Sequence, residues 1–329
     1  MTIENAAITA VGGYVPEDVL SNADLETMVE TSHDWIVSRT GILERRILKG
    51  EGKGTSVLAI EAVKDLLSKS DVEAQEIDAV LVATMTPDML FPSTANLVCE
   101  ALGIQGAFAF DMQAACSGFV YALNVGSALV TSGQYKKVLV IGADKMSSVM
   151  NYRDRNTCIL FGDGAGAVLL EPNAEGLGIQ DCVMNSDGVG KDMIMMKGGG
   201  SAYPPTHETV ENGDHYFYQD GRQVYRHAVT NMSNITLEIM ERNKLSSEDL
   251  AYFIPHQANK RIIEAIAQRL QVGMDKVAVN IHKYGNTTAG TIPLCLWEWE
   301  QSFKKGDNIV LSAFGGGFTW GSVYLKWAY

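Results

Sequence analysis

Apolar residues along this chain follow two rhythms. Ala79–Met85 (AVLVATM) and Lys137–Gly142 (KVLVIG) are short continuous apolar runs, the pattern of strands buried on both faces. Val57–Leu67 instead repeats apolar residues at helical spacing, behind Thr55 and Ser56, residue types that cap helices. Val224–Met240 and Ile262–Leu270 predict two further helices. Strand-like runs alternating with helical stretches give an α/β architecture. The stretch Lys197–Gly221 obeys neither rhythm. With Gly198–Gly200, Pro204, Pro205, Asn212 and Gly213, it predicts an irregular excursion.

The order of elements repeats. Ala107–Asp111 (AFAFD) leads through the small-residue segment AACSG to a helical FVYALNVGSALV, the strand KVLVIG and a glycine-rich, hairpin-like Phe161–Glu171. Further on, Val277–Ile281 (VAVNI) leads through YGNTTAGT to a helical IPLCLWEWEQSF, the strand NIVLSAF and Phe314–Trp327. A duplicated unit accounts for both series, with halves at 1–174 and 175–329. Cys116 and Asn286 then sit at corresponding strand-to-helix turns facing one cleft.

Composition narrows the function. The chain has 329 residues, 46% hydrophobic and 20% charged, enough for a large core and unlike a disordered chain. Lys and Arg number 26 against 39 Asp and Glu, a net charge of −13 that argues against general nucleic-acid binding. No apolar run approaches the roughly 20 residues of a membrane span, and no basic segment opens a secretory signal. Five dispersed cysteines, without a CxxC pair or zinc-type spacing, predict reduced thiols in the cytoplasm.

Three residues carry candidate chemistry. Cys116, in Gln113–Gly118, has small neighbours that permit a sharp turn before a helix, whose N-terminus favours thiolate. A small buried hydrophobe is the alternative reading. His256, after the strand-like Tyr252–Ile254 and Pro255, stands at the sheet's carboxyl edge, where open α/β sheets bind ligands. Asn286 in GNT reads as a third active group or as a turn residue. The phosphate-loop reading of GDGAG fails on spacing. Gly315–Gly317 places backbone N–H groups where one, with that of Cys116, forms an oxyanion hole.

The motifs AACSGF, GDGAGAVLLE, PHQAN, YGNTTAG and AFGGGFTWGS resemble those of thiolase-superfamily condensing enzymes, most of all the β-ketoacyl-acyl carrier protein synthase III family. The blocks VGGYVP, WIVSRTGI and FPS extend the resemblance over nearly the whole chain. It implies a thiolase-like, five-layered αβαβα fold of two similar halves, and a homodimer. It implies decarboxylative condensation of an acyl-CoA primer, acetyl-CoA in the first instance, with malonyl-acyl carrier protein at the start of type II fatty-acid synthesis. Metal and cofactor are not part of it, since the coenzyme A thioester is a substrate.

Residue by residue, the resemblance implies Cys116 as nucleophile with His256 and Asn286 as partners, and an oxyanion hole from Cys116 and Gly316. Trp35, Arg39, Arg155, Gly221 and Asn259 would hold coenzyme A. Phe91, reaching from the partner subunit, and Phe314 would shape the acyl pocket. Arg226, Lys260 and Arg261 would dock the acidic carrier protein. Thr288 and Gly290 depart from the more usual serine and alanine, Arg226 replaces a common lysine, and the excursion is longer and more aromatic (Tyr203, Tyr216, Phe217, Tyr218). A polyketide-type starter synthase and a non-catalytic partner subunit are the alternatives. Keeping all three active groups argues against the second.

Overall fold

The structure, a computed structural model, describes residues 4–329. Its first sheet holds β1 (Asn5–Tyr14), β2 (Ala79–Ala83), β3 (Phe108–Met112), β4 (Val138–Lys145) and β5 (Asp163–Asn173) in the order β1-β5-β4-β2-β3. There β4, β2 and β3 run parallel, and β5 pairs antiparallel with both β1 and β4. The chain crosses at 174–177 to a second sheet of β6 (Gly178–Ser186), β7 (Tyr252–Pro255), β8 (Asn308–Gly315) and β9 (Thr319–Lys326), in the order β7-β8-β9-β6. Pairing again is parallel for β7 with β8 and antiparallel for the rest. Strand for strand, β6, β9, β8 and β7 repeat β1, β5, β4 and β2.

The place of β3 has no full counterpart. The expected strand Val277–Ile281 is reduced to one bridge between Val277 and Phe253, and Ile281–Tyr284 is a short helix. The cause is the buried Gln257. Its Oε1 accepts the N–H groups of Asn280 (3.1 Å) and Ile281 (3.3 Å), while its Nε2 donates to Pro255 and Ala278 carbonyls. These side-chain bonds take the place of a β-ladder there.

Helices α1 (His33–Thr40), α2 (Thr55–Ser68), α3 (Thr94–Leu102), α4 (Gly118–Thr131), α5 (Gly221–Arg242), α6 (Lys260–Leu270) and α7 (Thr291–Trp299) complete the frame. Val80, Val82, Leu139 and Ile141 pack outward on α2 and α3. Their neighbours Leu81 and Val140 point inward onto Phe119 and Leu123 of α4 and Ile292 and Leu296 of α7. From the other side Ile254, Leu311 and Val323 meet the same central helices, while Phe253, Val310 and Tyr324 face α5 and α6. The result is five layers, αβαβα. Both faces of each sheet are covered, which is why the strands read as continuous apolar runs.

Two local expectations need correction. Phe161–Glu171 is not a hairpin, because Asp163–Asn173 is one continuous strand. Its glycines serve close approach instead: a Cβ on Gly166 would stand 2.6 Å from Cβ of Pro293 in α7. Nor do Thr55 and Ser56 cap α2, whose N-cap is Gly54. The remote Asp88 caps it, accepting from the Ser56 N–H (2.8 Å) and hydroxyl (2.7 Å). The excursion is irregular as expected. It holds the five-residue helix His207–Glu211, and its Tyr218–Gln219 pairs with Ile194–Met195 just ahead of it. No helix among the described residues is long and apolar enough to cross a membrane.

Candidate active site

A cavity of about 510 Å³ opens at the carboxyl ends of the parallel strands, and Cys116, His256, Asn286 and Phe314 all line it. Cys116 lies on the single 3₁₀ turn Ala115–Ser117 between β3 and α4. Ala115 takes a left-handed φ of 45° to bend the chain there. Gly315 at the end of β8 comes so close that a Cβ on it would lie 2.8 Å from the Cys116 backbone nitrogen. The glycine-rich segment of the second half is thus laid directly over the nucleophile's turn, with Gly316 next along.

The two turns correspond, but not position for position. The 3₁₀ turn Thr288–Gly290 precedes α7 as Ala115–Ser117 precedes α4, and Thr288 has φ 52°. Ala289, not Asn286, is therefore the counterpart of Cys116, and Asn286 lies ahead of its turn. Its backbone bonds to Leu160 and Gly162, and its Oδ1 accepts the N–H of Thr288 at 2.8 Å. With the oxygen so engaged, the amide nitrogen is the donor left for the cavity.

His256 follows β7 directly and is buried, its Nδ1 2.7 Å from the Thr291 hydroxyl. That hydroxyl lies 3.0 Å from the Thr288 carbonyl, which can only accept. Giving its proton there, it accepts from Nδ1–H and leaves Nε2 bare. Turned towards Nδ1, it makes Nε2 a donor. Burial pulls His256 down to about 3, so the ring is neutral in either form.

The thiol departs from expectation. Burial first, and then the negative charge of Asp144, push Cys116 up to about 12. The helix N-terminus that follows it would favour thiolate. Desolvation outweighs that here, and the nucleophile rests as a thiol that needs a base. The other cysteines lie outside the cavity wall, and burial raises each of them.

Around the mouth, Trp35 and Arg39 of α1 line the cavity with Gly221, Arg226, Asn259 and Arg261. The guanidinium carbons of Arg39 and Arg155 lie 5.7 and 5.1 Å from the Trp35 ring centroid, in cation–π range. Arg155 itself stays outside the wall, donating to the Glu30 carbonyl at 2.9 Å. Asn259 caps α6 through the Arg261 N–H and ties it to α1 through the Arg39 carbonyl. Arg226, Lys260 and Arg261 are exposed, Arg261 lying over Tyr225 and Lys260 3.8 Å from Glu264. Phe91 is not in this cavity: it stands 83% exposed on a loop with Leu90 at 82%.

Sequence reasoning missed part of the wall. Phe217 of the excursion is buried edge-on against Phe161, centroids 4.8 Å apart, and both line the cavity with Arg222. The aromatic cluster in the excursion was the available signal. Thr291 and Asp144 had none.

Residues 110–188 match the model described as 3-oxoacyl-[acyl-carrier-protein (ACP)] synthase III, and residues 240–327 match its C-terminal counterpart. A β-ketoacyl-[acyl-carrier-protein] synthase III of Porphyromonas gingivalis is 55% identical over 325 residues, covering 99% of this chain and 97% of that one. One from Chlorobium phaeovibrioides is 56% identical over 327 residues, covering 98% and 99%. The crystal structure of 3-oxoacyl-[acyl-carrier-protein] synthase III from Aquifex aeolicus superposes with a TM-score of 0.91 at 41% identity, covering 98% of this chain and all of that one. A priming β-ketosynthase of the R1128 polyketide pathway gives 0.90 at 31% identity, covering 100% and 98%.

Proposed function

The chain belongs to the 3-oxoacyl-[acyl-carrier-protein] synthase III family, and from that premise we propose how its cavity divides the work of condensation. The enzyme is an acyltransferase with the thiolase-like fold. It condenses an acyl primer with malonyl-acyl carrier protein and so initiates fatty-acid synthesis. One observation carries the assignment of roles: Cys116, His256 and Asn286 face a single cavity whose mouth is framed by Trp35 and arginines.

In the first half-reaction the Cys116 sulfur attacks the thioester carbonyl of an acyl-CoA. Its proton passes to the bare Nε2 of neutral His256 and on to the leaving coenzyme A sulfur. Cys116 is left acylated and His256 neutral. The N–H groups of Cys116 and Gly316 hold the transient oxyanion. In the second, malonyl-acyl carrier protein loses carbon dioxide, and the electron pair of the broken C–C bond becomes an enolate. Asn286 Nδ2 and His256, now in the tautomer with Nε2–H, donate to its oxygen. The enolate carbon attacks the acyl carbon, the Cys116 sulfur leaves, and a proton from solvent restores the thiol. Between the half-reactions the tautomer changes by proton exchange with solvent, Nε2 gaining a proton and Nδ1 losing one, and the Thr291 hydroxyl turns to donate to the bared Nδ1. The imidazolium exists only while a proton is in transit, so no resting charge is buried. The scheme calls on no metal or cofactor.

Trp35 and Arg155 take the adenine of coenzyme A between them, which parts the present 5.1 Å contact. Arg39 serves the phosphates, and Gly221 and Asn259 border the pantetheine arm. The exposed Arg226, Lys260 and Arg261 dock the acidic carrier protein. We also propose a cytoplasmic, isologous homodimer in which each Phe91 enters its partner's acyl pocket beside Phe314. A panel of acyl-CoA primers with malonyl-acyl carrier protein, read by product mass, tests the scheme. Condensation of acetyl-CoA is expected, and a chain that condenses no primer would refute it.

A further inference from the structure

The fully buried Asp144, at the end of β4, has no part in the chemistry above. Its Oδ1 accepts from the hydroxyl of Thr84 (3.0 Å), the N–H of Met85 (2.8 Å), and both the N–H (3.0 Å) and hydroxyl (2.8 Å) of Thr86. All four come from the segment after β2. The other oxygen reaches into the second half, accepting from the Thr288 hydroxyl and, at 3.4 Å, from the N–H of Ala289. A carboxylate taken out of water is tolerated only when its lone pairs are so filled.

What Thr288 does next matters more. Its N–H fixes Oδ1 of Asn286, and its carbonyl accepts from the Thr291 hydroxyl that bonds His256 Nδ1. A β-branched residue at φ 52° is strained and persists where its surroundings over-determine it. Asp144 supplies that restraint. We infer that Asp144 is a positioning residue which, through Thr288, sets the direction of the Asn286 donor to the enolate. Asn286 is not on the half that carries Asp144. The first half thus aims a catalytic group of the second.

The inference rests on the reading of Asn286 as an enolate donor, and the test separates the two. T288V keeps shape and removes the hydroxyl that reaches Asp144. T288S keeps the hydroxyl. D144N keeps Oδ1 for its four donors but turns Oδ2 into a donor facing the Ala289 N–H. Each folded variant is assayed for acyl transfer from labelled acetyl-CoA to Cys116 and for carbon dioxide release from malonyl-acyl carrier protein. T288V and D144N are expected to lose about 10-fold or more in kcat for decarboxylation, with KM nearly unchanged and acylation within about 2-fold. T288S is expected to recover most of the T288V loss. Wild-type decarboxylation in T288V, an equal fall in both half-reactions at unchanged melting temperature, or no recovery in T288S would overturn it. Should D144N not fold, the Thr288 pair decides alone. If H256A and N286A also decarboxylate at the wild-type rate, the donor reading has failed. If they lose it while T288V keeps it, only the positioning has.

Discussion

Gly142 of β4 lies flush against Ala289: a Cβ on this glycine would stand 2.2 Å from the Ala289 carbonyl oxygen. That oxygen belongs to the turn next to Asn286, and it is backbone, which cannot swing aside like a side chain. G142A is expected to cost about 1–3 kcal/mol by overpacking. It should also lower decarboxylation more than acyl transfer, since the turn it displaces holds Oδ1 of Asn286 through the Thr288 N–H. Thermal melts with both partial assays check this, and an unperturbed variant would show that the contact is slack.

C116A is expected to abolish the covalent acyl-enzyme while malonyl-acyl carrier protein still loses carbon dioxide. H256A and N286A should lose decarboxylation by ~10²-fold, the scale for one oxyanion donor. They should differ in acylation. N286A keeps it, and H256A lowers it, because a thiol raised to about 12 needs the imidazole as base. Labelled acetyl transfer and carbon dioxide release decide, and an acylated C116A would refute the scheme.

His256 ties stability to pH. Its folded value near 3 lies below the ordinary 6.5, so between these pH values the unfolded chain binds the extra proton. The native state therefore keeps its full advantage above about 6.5. It loses about 1.4 kcal/mol for each pH unit as pH falls towards 3. H256Q removes that slope. Urea melts from pH 7 to pH 4 should show a shallower decline in H256Q than in the wild type, and parallel declines would contradict the assignment.

How much of this was legible in the sequence follows from what each residue answers to. Ala79–Ala83 and Val138–Lys145 sit between two helical layers, so burial on both faces printed them as continuous apolar runs. Cys116, His256 and Asn286 sit in small-residue or Pro-bounded turns that patterning exposes. The lost strand at Val277–Ile281 was hidden, because a side chain far in space, Gln257, takes the place of its ladder. The thiol's protonation was hidden too. It depends on burial and on Asp144, and a helix start read along the chain shows neither.

The proposed homodimer places the exposed Leu90 and Phe91 under a second copy. Replacing both with Asp is expected to yield monomers in sedimentation, because two charges would enter an apolar contact. F91A, which empties the pocket without adding charge, should stay dimeric and accept longer primers. A wild-type chain that sediments as a monomer would remove the idea.

Charge reversal at Arg226 or Arg261 should weaken use of malonyl-acyl carrier protein and leave acyl transfer from coenzyme A nearly intact. The loss should shrink as salt rises, because exposed charges are screened over roughly 8–10 Å. Steady-state rates at low and high ionic strength test this. An equal loss at both would assign the arginines to the fold.

Cys116 comes from one half of the duplicated fold, and His256 and Asn286 come from the other. During synthesis the nucleophile therefore emerges long before its partners. Until the second sheet docks, the chain presents a thiol with neither base nor donors arranged beside it. Condensation begins only on a finished molecule. In a fragment-complementation assay, recovery of activity would report that the halves had met, in register, rather than that either had folded.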